Sequence, residues 1–154
     1  MIVLDSNSFL LFVIGLIDPK RISKHKVLSL FDEADFYKLI EIIKHHSNLI
    51  ILPNIWTEVD NSMNRSVGEF KNKYVEICKE LAREIKENYL ASSIGFESDS
   101  IYDLGLTDSL LLEWIKEQGH TLISIDSKLC DIAKAYNLKT IDLIKDKNDF
   151  LFKI

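Results

Sequence analysis

The sequence contains few of the residues that form linkers and low-complexity tails. It has only five glycines and two prolines among 154 residues, so no stretch is typical of a flexible connection between domains. With 47% hydrophobic residues, the chain is long enough to bury one core and too short for a second catalytic domain. We therefore predict a single domain over residues 1–154.

Cysteine is also scarce, because Cys78 and Cys130 are the only two in the chain. Each lies inside a helical apolar pattern, and their spacing indicates neither a disulfide framework nor a zinc site. We expect both to be core residues of a protein in a reducing compartment.

The chain has no apolar run as long as a membrane span. The longest, residues 9–17 (FLLFVIGLI), falls far short of the roughly 20 residues that a span requires, and we expect it to form a buried helix. We expect no signal peptide, because Asp5 interrupts the N-terminal segment and no basic residue precedes the apolar run. The expected location is the cytoplasm, with no membrane partner.

Positive charge is in deficit, since 24 acidic residues outnumber 19 basic ones and the net charge is -5. Proteins that bind nucleic acid by bulk electrostatics usually carry an excess of Lys and Arg. If this chain binds RNA or DNA, we expect another feature to attract the phosphates.

The apolar pattern predicts strands that alternate with helices, as in βαβ units with a mostly parallel sheet. The predicted strands cover residues 1–4, 49–52, 121–125 and 139–143. The predicted helices cover residues 9–17, 35–46, a short segment with Glu58, and residues 66–90, 107–118 and 126 or 127 to 137. Residues 91–105 are predicted to be a loop. The expected fold is a three-layer α/β/α domain with four to five strands.

Several polar residues are predicted to begin these helices, because short polar side chains accept hydrogen bonds from the first helical N–H groups. The predicted caps are Ser6 or Ser8, Asp35, Asn54, Thr107, and Asp126 or Ser127.

Four acids fall at the ends of predicted strands or in the first turn of predicted helices. They are Asp5, Glu58, Asp108 and Asp126. The carboxyl ends of parallel strands border one crevice, where ligands bind in open α/β sheets. Acids at these junctions can therefore converge although they lie far apart in the sequence.

A divalent cation would relieve the repulsion among four clustered carboxylates, since two charges about 4 Å apart repel by roughly 4 kcal/mol at a dielectric constant of 20. Oxygen ligands favour Mg²⁺ or Mn²⁺ over Zn²⁺, and the amide of Asn7 could join the site. Such an ion activates water and offsets phosphate charge, so the natural chemistry is phosphodiester hydrolysis. The alternative is that each acid only caps a helix or interacts with its dipole.

Four segments resemble those of PIN-domain proteins in their order, spacing and placement at strand ends. They are IVLDSN (residues 2–7), ILPNIWTEVDN (51–61), LGLTDSLLLE (104–113) and LISIDSKLCDIAKAYNLKTI (122–141). The resemblance implies a PIN-like fold in which Asp5, Glu58, Asp108 and Asp126 bind Mg²⁺ or Mn²⁺ and support RNA cleavage. It also places Asn7 and Ser124 where the family commonly has small polar residues.

Many bacterial and archaeal PIN domains of similar size are VapC-type toxins, which a small antitoxin sequesters. The resemblance therefore implies three candidate partners: an RNA substrate, a small antitoxin protein and a second copy of the chain. This chain is longer than the compact toxins, mainly in its central helix and in residues 91–105.

Two groups of charged residues could support such a site. Asp103 lies close to Asp108 in sequence, and is either a supporting group or a solvated acid. A basic stretch could contact RNA phosphates or be a solvated loop; its candidate residues are Lys20, Arg21, Lys24 and Lys26.

Three functions compete at this point. The first is a metal-dependent ribonuclease, in which Asp5, Asp108 and Asp126 are the main ligands and Glu58 is a ligand or positions water. The second is a PIN-like binding or scaffold module without chemistry. The third is a phosphatase of the haloacid-dehalogenase type, whose DxD motif is similar to this region except that Asn7 replaces the second Asp.

Overall fold

Helices and short strands alternate along most of the chain. The structure, a computed structural model, describes residues 1–46 and 48–151, with side chains as far as residue 148; residues 152–154 of the predicted domain lie outside it. In chain order, the elements are β1 (Ile2–Leu4), α1 (Ser6–Ile17), α2 (Glu33–Lys44), β2 (Ile50–Ile51), α3 (Pro53–Met63), α4 (Gly68–Glu84), β3 (Lys86–Glu87), α5 (Ser92–Phe96), α6 (Ile101–Leu104), α7 (Leu106–Gln118), β4 (Thr121–Ser124), α8 (Ser127–Ala135), β5 (Thr140–Asp142) and α9 (Leu143–Leu151).

The main sheet is parallel and has three strands, in the order β1-β4-β5. Leu4 of β1 lies beside Ile123 of β4, and Ser124 of β4 lies beside Asp142 of β5. Because all three strands run in the same direction, their carboxyl ends meet at one edge of the sheet. The residues that follow these strands are therefore neighbours.

The predicted α/β class and parallel pairing are confirmed, but the sheet is smaller than the predicted four to five strands. Strands β2 and β3 form a separate parallel ladder of two residues each. Among the described residues, a single isolated parallel bridge connects this ladder to the edge of the main sheet, between Ile2 of β1 and Leu49, the residue before β2. The apolar pattern of residues 49–52 could not show that pairing with β1 stops after one residue.

The central helix is shorter than its apolar pattern predicts. It ends at Glu84 rather than Leu90, because Ile85 is extended and the chain continues into β3. Ile85 is itself buried, so it prolongs the three-to-four apolar spacing beyond the helix. Pairing of Lys86 with Ile50 supplies hydrogen bonds that the helix would otherwise have provided.

Helices α5 and α6 occupy the segment that was predicted to be a loop. Helix α5 packs closely on α7, since a Cβ at Gly95 would come within 2.7 Å of Leu106 and 2.8 Å of Leu110. Helices as short as these depend on tertiary packing rather than on a periodic pattern. Helix α9, which follows β5, was not predicted either.

Several helix caps differ from those predicted. Asp5 rather than Ser6 or Ser8 caps α1, and Asp32 caps α2 in a capping box with Asp35. Helix α3 has Pro53 in its first turn and no side-chain cap at Leu52, since proline fixes a helical φ and lacks the N–H that a cap would bind. The predicted cap Asn54 therefore lies inside the helix.

Helix α7 has neither Thr107 nor any other side chain as its cap. Gly105 precedes it with φ 78°, a backbone conformation that glycine adopts without strain. At the other end, Gly119 terminates α7 in the left-handed conformation, which glycine adopts readily at the end of a helix.

Helix α1 runs through the core, and α2 crosses it at Gly15. A Cβ at Gly15 would overlap the ring of Phe36, which is itself buried. Across the described residues, no helix is both long enough and apolar enough to cross a membrane.

We expect Gly15→Ala to destabilise the protein by about 2 kcal/mol, because overpacking outweighs the higher helix propensity of alanine. Urea unfolding of the purified protein measures this change. The matched control is Gly15→Ala combined with Phe36→Leu, which makes room for the methyl group, so the double variant should lose less stability than the sum of the two single losses. Strict additivity would show that the helices do not touch at this point.

Candidate functional site

Asp5 lies where the buried strand β1 ends and α1 begins. The side chain is 3% exposed, and its Oδ1 accepts a hydrogen bond of 3.0 Å from the backbone N–H of Ser8. Burial raises the pKa of the Asp5 carboxyl to about 6, although hydrogen bonding by Ser8 and Ser124 acts in the opposite direction. The nearby charge of Asp126 raises this pKa further. Asp5 therefore caps a helix and also lies within the field of a second acid.

Asp126 occupies the equivalent position after β4, the neighbouring strand. Its Oδ1 accepts hydrogen bonds from the N–H groups of Lys128 at 2.8 Å and Leu129 at 3.1 Å, which begin α8. The hydroxyl of Ser124 accepts a hydrogen bond of 2.8 Å from the N–H of Asp126. The turn that carries Asp126 is thus held by its own side chains.

A buried hydrogen bond joins the two turns that carry Asp5 and Asp126. The N–H of Ile125 donates to the Oγ of Ser8 at 3.0 Å, and Ser8 is fully buried. Sequence reasoning considered Ser8 only as a helix cap. A serine in the first turn of a helix does not by itself indicate a contact with another strand. Ser8 can bind the N–H of Ile125 because β1 pairs with β4 in parallel.

Asp108 lies in the first turn of α7 and is partly buried. Burial is the largest cause that raises the pKa of its carboxyl, to about 8, and the negative charges of three other acids raise it further. In order of effect, these acids are Asp5, Glu58 and Asp126. The other three acids that were selected from the sequence are therefore close enough to Asp108 to raise the pKa of its carboxyl.

Glu58 is more exposed than the other three acids and occupies a different kind of position. It lies in the second turn of α3, five residues after Pro53, rather than in a first helical turn as predicted. The helix begins earlier than expected because Pro53 is its first residue. Glu58 nevertheless contributes to the negative field at Asp108.

The chemistry of this acidic cluster suits a hard cation, because all four side chains offer carboxylate oxygens. As the side chains stand, however, no group of three or more His, Cys, Asp or Glu residues within residues 1–46 and 48–148 could hold a metal ion. The structure places Asp5, Glu58 and Asp126 near enough to raise the pKa of Asp108. The metal site stays a prediction. Metal binding would require the carboxylates to approach one another.

The two remaining neighbours of the site have different surroundings. Asn7 lies in the first turn of α1 and is partly buried. Asp103 is exposed; its carboxylate lies 3.6 Å from the Nζ of Lys128, which also donates to the Asp103 carbonyl at 2.7 Å. Lys128 therefore links α6 to the first turn of α8. Asp103 is not among the acids that raise the pKa of Asp108.

Sequence reasoning missed Asp142, the acid at the end of β5. It is 3% exposed, and its Oδ1 accepts hydrogen bonds from the Oγ of Ser127 and from the N–H groups of Ile144 and Lys145. The segment KTIDL shows the same signal as IVLDS, an apolar strand that ends in Asp. The unpredicted helix α9 explains why this acid was not recognised as a cap.

The basic residues selected from the sequence lie away from Asp5, beyond the other end of α1. Helix α1 has 12 residues and is therefore about 18 Å long at 1.5 Å per residue. All four residues lie in short 3-10 turns at Pro19–Lys24 and Lys26–Leu28, and all four are exposed. The structure thus does not bring Lys20, Arg21, Lys24 and Lys26 into the acidic cluster.

No protein-family model matches the sequence, and no curated protein matches it significantly.

Proposed function

We propose that the chain is a metal-dependent ribonuclease with a PIN-like, three-layer α/β/α fold, which hydrolyses RNA phosphodiester bonds. The observation that carries this proposal is the convergence of Asp5, Glu58 and Asp126 on Asp108, whose pKa they raise together with burial. Helix caps scattered over the surface would not share one electrostatic field. Four acids from four separate parts of the chain would repel one another unless a cation joined them.

The proposed ligands of Mg²⁺ or Mn²⁺ are Asp5, Asp108 and Asp126. Glu58 either completes the ligand set or positions the attacking water, since it is the most exposed of the four acids. When bound, the ion would lower the pKa of a water molecule and offset the charge of the phosphate. Asn7 would contribute an amide from the first turn of α1.

The chain's own hydrogen bonds would hold these ligands in place. Asp5 and Asp126 each bind N–H groups at the start of a helix, which fixes one carboxylate oxygen and leaves the other for a ligand. The bond from Ile125 to Ser8 keeps the two turns together. Ser124 orients the Asp126 turn, since its hydroxyl accepts a hydrogen bond from the N–H of Asp126.

The electrostatic field of the cluster supports metal chemistry more than a purely structural role. A binding module without chemistry would gain nothing from a buried carboxyl whose pKa other acids raise. The same proposal includes a cytoplasmic location and, as the resemblance implies, a small antitoxin or a second copy of the chain as protein partners.

The proposal is tested with a 5′-labelled single-stranded RNA and the purified chain in Mn²⁺, Mg²⁺ or EDTA. We expect shortened RNA products in either metal and none in EDTA. Hydrolysis of p-nitrophenyl phosphate, with RNA left intact, would instead identify a phosphatase. If neither substrate reacted in any metal, the chain would be a binding module. Asp108→Asn protein purified in the same way controls for contaminating nucleases.

A further inference from the structure

A groove with an unusual charge lies between the turns that follow α1 and the end of α3. Two adjoining recesses of about 300 and 630 Å³ form it. Its cationic side chains are Arg21, Lys24, Lys26 and Arg65, and Asn61 and Asn64 supply amides from α3 and its end. We call this surface the basic groove. Arg65 was not selected from the sequence, because it lies some 40 residues from the basic stretch.

No acidic side chain of the described residues lines either recess, although acids outnumber bases by five in the whole chain. Along residues 1–46 and 48–148, no carboxylate lies within 4 Å of the cationic groups of Lys24, Lys26 or Arg65. Most lysines on the other faces are paired, as Lys73 is with Glu69 and Lys79 is with Glu76. The groove therefore concentrates cations whose charge the protein itself does not neutralise.

Among the side chains that the structure describes, Arg21 is the one cation of the groove that contacts an acid and an aromatic ring. Its Nε lies 3.7 Å from a carboxylate oxygen of Asp18, and its guanidinium carbon lies 4.7 Å from the centre of the Phe70 ring. Stacking on an aromatic ring holds the guanidinium plane without using all of its N–H donors. Arg21 thus joins the α1 side of the groove to the start of α4.

Helix α3 connects the basic groove to the acidic cluster. Asn61 and Ser62 follow Glu58 by three and four residues, and this spacing places them on the same side of the helix as Glu58. Met63, the last residue of α3, lies about 7.5 Å beyond Glu58 along the helix axis, and Arg65 follows two residues later. A single strand that contacts Glu58 could therefore reach Arg65 within a few nucleotides.

We propose that the basic groove binds the phosphate backbone of single-stranded RNA a few nucleotides from the acidic cluster; this inference rests on the proposed ribonuclease function. Lysine and arginine side chains contact phosphates, and amides can contact phosphates or sugars. The groove supplies the positive charge that the acidic chain otherwise lacks. The groove holds the RNA backbone, and the acidic cluster hydrolyses a phosphodiester bond a few nucleotides away.

The test measures RNA binding separately from cleavage, by fluorescence anisotropy of a labelled 12-nucleotide RNA with the whole protein in EDTA. We expect the Lys24→Ala/Arg65→Ala variant to bind at least tenfold more weakly than wild type. Each lost phosphate contact on a single strand lowers the salt dependence of log K by about 0.7, so the slope should fall by about 1.4.

The matched control is Arg83→Ala/Lys134→Ala, which removes the same two charges from exposed positions outside the groove and should change RNA binding less than twofold. Equal losses in the two double variants would show that only net charge matters and would overturn the proposal. Poly-glutamate that binds the groove more tightly than RNA does would also overturn it, in favour of an acidic protein partner.

The failure of this inference can be told apart from the failure of the proposed function. If the groove variant binds RNA as well as wild type does, while wild type still cleaves RNA in Mn²⁺, the groove inference is wrong and the ribonuclease proposal stands. If RNA binding depends on the groove but no metal supports cleavage, the groove inference is supported and the catalytic proposal is wrong.

Discussion

The variant Asp108→Asn should lose RNA cleavage in Mn²⁺ by at least a hundredfold and should be more stable than wild type in EDTA at pH 8. Asparagine keeps the shape of the side chain and removes a charge on which three other acids act. One pKa unit corresponds to about 1.4 kcal/mol. Because Asp108 is only partly buried, we expect a gain of about 2 kcal/mol rather than the value of the full pKa shift. Labelled-RNA cleavage and urea unfolding measure the two effects on the same protein.

The combination of lost activity and gained stability distinguishes a functional site from a structural cap. The matched control is Asp99→Asn, the same chemical change at an exposed residue, which should alter neither property. If Asp108 serves function, it lowers the stability of the metal-free protein, and replacing it raises stability. If Asp108 only stabilises its helix, replacing it lowers stability. Wild-type cleavage rates in Asp108→Asn, or destabilisation in EDTA, would therefore contradict the site assignment.

Asp5 and Asp126 could be predicted from the sequence because their signal is local. In each case a short apolar strand ends in an acid and a helix follows, and the structure confirms the strands. The predicted cap Asp126 is also confirmed, whereas Asp5 caps α1 in place of the predicted Ser6 or Ser8. Parallel pairing then makes the two acids neighbours without further information. Asp108 has no strand before it, and its place in the cluster depends on where α7 packs.

The features that the sequence could not predict depend on tertiary contacts. Lys128 contacts Asp103 across 25 residues, and Arg65 joins the basic groove only because α3 ends beside the turns after α1. The size of the sheet depends on one bridge between Ile2 and Leu49. A periodic pattern indicates which face of an element is buried, but not which element covers it.

The largest effect on stability is expected from pH and metal together. In EDTA, the free energy of unfolding should fall as the pH rises from about 5.5 to 8.5. The folded pKa values of Asp5 and Asp108, about 6 and about 8, lie above the ordinary value of 3.8. Between pH 3.8 and its folded pKa, each carboxyl binds more protons in the folded state than in the unfolded state. The stability that this difference contributes is fully present below about pH 4. It is lost as the pH rises through about 6 for Asp5 and through about 8 for Asp108. Urea unfolding at several pH values measures this slope.

Saturating Mn²⁺ should reverse that loss, and by more at pH 8 than at pH 5.5, because protons compete with the ion for the same carboxylates. An ion at 100 times its Kd that binds only the folded state adds about 2.7 kcal/mol to stability. In Asp108→Asn the fall in stability between about pH 6 and pH 8 should disappear, because Asp5 has already lost its proton there. Most of the stabilisation by Mn²⁺ should disappear with it. If stability in EDTA is constant between pH 5.5 and 8.5, or if Mn²⁺ stabilises wild type and Asp108→Asn equally, the four acids do not form a common metal site.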